Sequence, residues 1–371
     1  MSKPKKIAIN GKPFFGWKYE EQTIIKHRVF KEYWRIWVSK LGSNSDTLLF
    51  DCHAGCGVYI NEDKSLSYGS SIIADEIARE INSKPNRSHK NYVCTCDIDK
   101  DNLDNLEQAW WDCGCSKYFM PKHAYYNDVL QDNKAISFYR SHPTLFFIDP
   151  FGYYNTPMKG MANLLKGFGH EIIINFMFDF LNRGRSVSAV DEKQLTDFFG
   201  CDDWKKARDK SGEERELFLV GLYRDKLKEI TSAKFVFPYK LSYPDKNQTY
   251  YYLIHATNSI EGITHMKDSF ARINHGRVEY LGKKQNDFTI FDLDSYKSSE
   301  IAQQCFEQFA GKTITFNDLW EQIVESVPFI KKDLQNAVAD FEGKGLLRVQ
   351  RISSKRGSYR DEDVITFGNK L

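Results

Sequence analysis

The chain has 371 residues, with 52 Lys+Arg against 50 Asp+Glu, 41% hydrophobic and 27% charged residues. A net charge of +2 excludes a strong field aimed at a polyanion or a membrane, and this balance of residue types excludes a wholly disordered chain. No apolar run approaches the ~18 residues of a membrane span, no apolar stretch follows Met1-Ser2-Lys3-Pro4-Lys5-Lys6, and eight cysteines are far too few for a disulfide scaffold; a reduced, cytoplasmic protein of two or three domains is expected.

Residues 1–22 are basic and carry Gly11, Pro13 and Gly16, which predicts an irregular segment. Over 23–40, Ile24, Val29, Tyr33, Ile36 and Trp37 fall on one helical face, with Lys26, Arg28, Lys31 and Arg35 among the others. The apolar runs 47–51, 92–96, 144–148 and 171–177 suit buried strands, and 71–81 and 101–111 carry helical patterns between them. This alternation predicts a doubly wound, mostly parallel Rossmann-like sheet with ligands at the carboxyl ends of its strands.

Residues 191–232 are charged and helical in pattern, an expected insertion or cap. The runs 235–239 and 250–256, joined by a turn at Pro244-Asp245, make a late hairpin. A late hairpin fits a class I methyltransferase sheet better than a dehydrogenase sheet. A composition change over 280–298 predicts a boundary between a domain spanning 1–295 and a tail spanning 299–371. The tail reads as helix 299–310, strand 313–315, helices 316–326 and 329–342, then strands 346–352 and 363–367 around a basic loop, the order of a winged helix.

The candidate chemistry lies in the first domain. Asp51-Cys-His-Ala54-Gly55-Cys-Gly57 follows the first strand, and its glycines permit a sharp turn and close approach to a ligand. Asp97 ends the next strand, where an acid can accept ribose hydroxyls. Asn127-Asp128 stands where a side chain could reach an adenine amino group, or cap a helix. Phe146-Phe-Ile-Asp149-Pro150-Phe151-Gly152 partly matches the Asp/Asn-Pro-Pro-aromatic motif of amino-methyltransferases. In that motif the acid and the proline carbonyl hold an amino group while an aromatic ring stacks on the base. The order of these pieces favours S-adenosylmethionine (SAM) over NAD, because position 60 is Ile rather than a third glycine and the acid lies 40 residues past Gly57. The spacing of Cys94-x-Cys96 and Cys113-x-Cys115 favours buried thiols over zinc, and no metal is expected.

With these residues in place the chain resembles the three-Cys-motif partner proteins. The resemblance rests on Lys26-His27 with Tyr33-Trp34, Asp51-x-x-Ala54-Gly55-x-Gly57-x-Tyr59, Gly69-Ser70, Phe147-Ile-Asp149-Pro-Phe-Gly152 and Asn175-Phe-Met with Arg183. Later segments are Tyr252-Leu-Ile-x-Ala-Thr-Asn258, Met266-Lys-Asp268 and Thr315-Phe-x-Asp-Leu319. His53, Cys56 and Ser71 depart from the family pattern. The resemblance implies a class I methyltransferase-like domain, SAM binding and a partner with a three-cysteine, radical-SAM-like motif.

The tail holds ten Lys+Arg against eleven Asp+Glu, yet six bases and no acid fall between Lys344 and Arg360. Arg348, Arg351, Lys355 and Arg356 are the candidate phosphate contacts, with protein docking the alternative use of this winged helix. The expected function is SAM-dependent methyl transfer to an amino group of DNA or RNA. Asp149, Pro150 and Phe151 would hold the acceptor, and Asp51, Ala54, Gly55, Gly57, Asp97 and Asp128 the cofactor. The alternatives are a non-catalytic nucleic-acid-binding adaptor and an enzyme using SAM on a small molecule or a protein.

Overall fold

The computed structural model describes residues 5–9, 12–114, 116–153, 156–183, 189–243, 248–279, 302–352 and 359–369. Strands β1 (Lys5–Ile9) and β2 (Lys12–Lys18) lead into helix α1 (Glu21–Leu41) and strand β3 (Thr47–Asp51). Strands β4 (Val58–Ile60) and β5 (Leu66–Tyr68), helix α2 (Ser70–Asn82), strand β6 (Asn91–Asp97), helix α3 (Lys100–Asp112) and strand β7 (Phe119–His123) follow. Helices α4 (Tyr126–Gln131) and α5 (Asn133–Arg140) precede β8 (Thr144–Ile148) and β9 (Glu171–Phe176).

Helices α6 (Phe178–Arg183), α7 (Ala189–Phe199) and α8 (Gly212–Thr231) then lead to β10 (Phe235–Ser242), β11 (Thr249–Thr257) and α9 (Ile260–Ile273). The predicted turn at Pro244-Asp245 lies outside the described residues, as does the predicted boundary 280–298.

The central sheet has the order β10-β11-β9-β8-β3-β6-β7. Its ladders β9-β8-β3-β6-β7 are parallel, and β11 is antiparallel to both β9 and β10. One reversed strand inserted between the last two positions is the class I methyltransferase arrangement, and it defines the fold as Rossmann-like. The strands alternate their side chains between two cores. Leu49, Phe147 and Ile173 face a core with α1, α2, α3 and α9, while Phe50, Phe146 and Ile172 face one with α4, α7 and α8.

Several elements depart from the sequence expectation. The basic start is a β1-β2 hairpin, and β2 pairs with β4 to extend a second, four-stranded sheet. Lys26, expected on the polar side of α1, is buried at 5% exposure. It follows Ile25 and precedes Val29 by three residues, which puts it on the inner face.

The tail continues with a helical turn over 302–307, strand β12 (Thr313–Thr315), helices α10 (Phe316–Ile323) and α11 (Lys331–Gly343), and strands β13 (Leu347–Gln350) and β14 (Val364–Phe367). These strands form an antiparallel sheet in the order β12-β14-β13. Trp320 and Phe316 of the tail belong to the same buried core as α1 and α9. Trp320 Nε1 donates to Thr264 Oγ1 at 2.7 Å, and the buried Lys267 Nζ donates to Val327 O. Burial, despite Asp333 and Glu325, holds the Lys267 ammonium well below its usual range. Glu325 accepts from the Val236 amide at 2.7 Å and pairs with Lys228. No helix among the described residues is long and apolar enough to cross a membrane.

Candidate functional site

A cavity of about 360 Å³ opens beyond the carboxyl ends of the parallel strands. Its wall includes Ala54 and Gly55 from the loop after β3, Asp149 and Phe151 after β8, Asn175 of β9 and Lys26 of α1.

The loop after β3 is folded by side chains from other elements. Gly55 and Gly57 have φ of +61° and +73°, where an L side chain is strained. A Cβ on Gly55 would meet open space, whereas one on Gly57 would lie 2.4 Å from Leu106 Cδ1. Asp97 Oδ2 accepts from the Gly55 amide at 2.8 Å. Its Oδ1 accepts from the Asp99 amide at 2.8 Å. Asn105 Nδ2 donates to the carbonyls of Cys56 and Phe15, tying the loop to β2.

Asp51 is fully buried beneath this loop. Its Oδ2 accepts from Ser70 Oγ at 2.6 Å and Ser71 Oγ at 2.7 Å, and its Oδ1 accepts from the His53 amide at 3.3 Å. Burial pushes its carboxyl up to about 6, against the pull of the two serine hydroxyls. Its position directs the carboxylate at α2 rather than at the cavity, whose lining does not include it.

Asp149 has a different environment. Lys26 Nζ pairs with Oδ2, and Asn175 Nδ2 donates to Oδ1 at 2.6 Å. Burial alone would push this carboxyl up, but the Lys26 charge and the two hydrogen bonds together hold it below the usual carboxylate range. The neighbouring His27 is pushed down to about 3, first by burial and then by Lys26, while its Nδ1 meets Tyr19 Oη at 3.0 Å. His53 is likewise pushed down by burial, to about 4, and its Nδ1 has no hydrogen-bond partner among the described residues. Among them Asn175 Oδ1 is also buried without one. Two unpartnered polar atoms beside a cavity are the mark of a wall that a polar ligand completes.

The expected site residues separate into two groups. Ala54, Gly55, Asp149 and Phe151 line the cavity; Asp51, Gly57, Asp97, Asp128 and Pro150 stand outside its lining. The Pro150 carbonyl accepts from the Gly152 amide at 3.1 Å. Phe151 is half exposed and meets Trp17 with ring centroids 5.7 Å apart. Asp128 lies on the exposed side of the first turn of α4.

Lys26, Asn175, Trp17, His53 and Tyr251 also line the cavity and had no assigned chemistry in the sequence reading. Lys26 and Asn175 did stand in its resemblance segments, the one signal that could have found them.

In the tail, Arg348 is exposed. Arg351 makes a two-pronged pair with Glu342 and lies over the Tyr359 ring at 5.1 Å. Lys355 and Arg356 lie outside the described residues. Among those residues no group of His, Cys, Asp and Glu could hold a metal ion, and Cys115 is not included.

No family model matches the chain, and no curated protein matches it. Solved structures do. Protein LPL1258 from Legionella pneumophila is similar at 14% identity and a TM-score of 0.40, over 71% of this chain and 94% of that one. The putative methyltransferase yhhF from Escherichia coli is similar at 11% identity and a TM-score of 0.30, over 69% and 100%. Magnesium protoporphyrin IX methyltransferase from Synechocystis, solved with bound SAH, is similar at 11% identity and a TM-score of 0.31, over 64% and 85%. Likenesses at this level assign no activity; the methyltransferase-like fold rests on the strand order and directions of this chain.

Proposed function

We propose that the strand-end cleft binds SAM and that the protein transfers its methyl group to an amino group of nucleic acid. The observation that carries this reading is the loop Ala54-Gly55, held open by Asp97 at the carboxyl edge of a methyltransferase-ordered sheet. The cavity volume suits a small-molecule ligand, and the free polar atoms of His53 and Asn175 suit a polar one.

When bound, SAM supplies an electrophilic methyl group on a sulfonium. Lys26 would hold its carboxylate end, and the open space beside the Gly55 Cα would let the cofactor approach the loop. Asp97, with lone pairs left over from the loop amides, would accept from the ribose. Asp51 acts from beneath by fixing the entry of α2. Asp149 would accept a hydrogen bond from the acceptor amine once Lys26 turns from it to the cofactor carboxylate, and Phe151 with Trp17 offers an aromatic edge for a base. Asp97, Asp128 and the Pro150 carbonyl, all outside the present lining, take their expected roles when the cleft closes further around its ligands.

The tail's helix order and three-stranded sheet support a winged-helix reading, with the exposed Arg348 available to a phosphate and Arg351 paired with Glu342; Lys355 and Arg356 join the reading from the sequence alone. The sequence resemblance adds a radical-SAM-like, three-cysteine partner.

One observation favours a second reading. The Asp149 carboxylate already has Lys26 and Asn175 Nδ2 as partners, which suits a non-catalytic adaptor that binds nucleic acid and that partner.

The test is calorimetry with SAM, followed by transfer of tritiated methyl to mixed DNA and RNA. Asp97→Ala is expected to weaken SAM binding by about 1–3 kcal/mol. Asp149→Ala is expected to abolish transfer while leaving SAM affinity nearly unchanged. Binding without any transfer supports the adaptor; absence of SAM binding by folded protein overturns the methyltransferase reading.

A further inference from the structure

A second cavity, of about 390 Å³, lies at the opposite end of the sheet, where β9 begins and β11 ends. Asn175 and Glu171 occupy the two ends of β9, about 13 Å apart along the strand. The cavity therefore has no part in the SAM cleft. Its apolar walls come from α1, through Ile36, Trp37 and Leu41, and from Phe168, which is 81% exposed.

The polar feature of this cavity is Glu171, which is 3% exposed. Its Oε2 is crowded with donors: Tyr33 Oη donates to it, and His255 Nε2 lies 2.7 Å away. Its Oε1 accepts from no described residue and lies against Gly262, where a Cβ would come within 2.5 Å of it. Gly262 also lines the cavity.

The hydrogen-bond bookkeeping leaves a charge unmatched. His255 Nδ1 is buried without a partner among the described residues, and its Nε2 is the neighbour of Glu171 Oε2. Tyr33 is a neutral donor, and burial followed by the Glu171 carboxylate pushes its hydroxyl well above the usual range. Lys40, the cation in the lining, is exposed and pairs with Glu261. His265, also in the lining, is pushed down by burial and then by Lys40. Among the described residues Glu171 thus has two donors on Oε2, none on Oε1 and no lysine or arginine against it. A buried carboxylate of this kind is completed by a positive charge.

We propose that this cavity is a binding site for a small organic ammonium ion. The ammonium donates to Glu171 Oε1, and the carbon skeleton lies along Trp37 and Phe168. Aromatic faces add attraction for the same charge. The site is independent of the SAM reading.

The test titrates 2-phenylethylammonium into the full-length protein by calorimetry, alongside 2-phenylethanol and 3-phenylpropionate. The cation is expected to bind about tenfold or more tightly than either, the difference made by one charge-assisted hydrogen bond. Glu171→Gln is expected to remove that preference while leaving alcohol binding unchanged. Equal binding of cation and alcohol, no binding of the cation at millimolar concentration, or an unchanged preference in Glu171→Gln would overturn the proposal. If Glu171→Gln does not fold, Phe168→Ala, on the exposed wall, decides. Weakened cation binding supports the site, and binding equal to wild type overturns it.

Discussion

The two ends of the central sheet treat a buried acid in opposite ways. At the carboxyl end, Asp149 meets a lysine ammonium and an amide, and its carboxyl is held below the usual range. At the other end, Glu171 meets a phenol and an imidazole on one oxygen only. Both acids sit at the ends of apolar strands, Glu171 buried and Asp149 part-buried against the cavity. What differs is α1, which crosses the sheet and presents Lys26 to one end and Tyr33 to the other. Seven residues along one helix therefore decide which carboxylate carries its own counter-ion.

The largest effect should come from removing that counter-ion. Lys26→Met leaves Asp149 buried with Asn175 alone and should cost about 3–5 kcal/mol by urea denaturation. Lys26→Met combined with Asp149→Asn should recover most of the loss. A single variant as stable as wild type would erase the contrast between the two ends.

The next effect belongs to Asp51, at the same end as Asp149 but with hydroxyl partners instead of a cation. Its folded value, about 6, lies above the unfolded value near 4, so the folded state binds the proton more tightly. Stability from this group is complete below pH ~4 and is lost as pH rises through about 6. Asp51→Asn lacks that loss. Between pH 4 and pH 7 the stability difference should shift by about 2 kcal/mol in favour of the variant. A pH-independent difference would mean that the serines hold Asp51 ionised throughout.

The smallest effect sharpens the opposite end. In Gly262→Ala the new methyl meets Glu171 Oε1 and Thr257 Oγ1 at 2.5 and 2.9 Å. Overpacking should cost about 1–3 kcal/mol, offset by up to ~1 kcal/mol of helix propensity in α9. The net loss should be about 1 kcal/mol in a urea midpoint. A gain would mean that Glu171 swings away freely, unlike the clamped Asp149.

The central strands were legible because burial on both faces leaves unbroken apolar runs such as Leu145-Phe-Phe-Ile148 and Ile172-Ile-Ile174. β7 was not, since an edge strand tolerates Pro121, Lys122 and His123. The hairpin at the start was hidden by Gly11, Pro13 and Gly16, read there as breakers. The glycine loop was legible at Gly55 and Gly57 because it is local in sequence. The partners of Asp51 and Asp149 were not, because Ser70, Lys26 and Asn175 reach them only through the packing of α2, α1 and β9. A lysine reads as solvent-facing until the fold supplies its acid.

The insertion of β11 between β9 and β10 has a consequence for synthesis. β9 is buried along its whole length and needs β11 to cover its outer edge. Residues 177–248 must be translated before β11 even begins to appear. At ribosomal rates of ~5–20 residues per second, the Ile172-Ile-Ile174 edge stays open for roughly 4–15 seconds. An open, apolar, β-branched edge is a template for pairing with other chains. During that interval the helices of the 191–232 insertion are the newest chain to emerge, and α8 later packs on β10 and β11. Fresh translation, rather than the finished fold, is therefore where the apolar edge of β9 stands open to pairing with other chains.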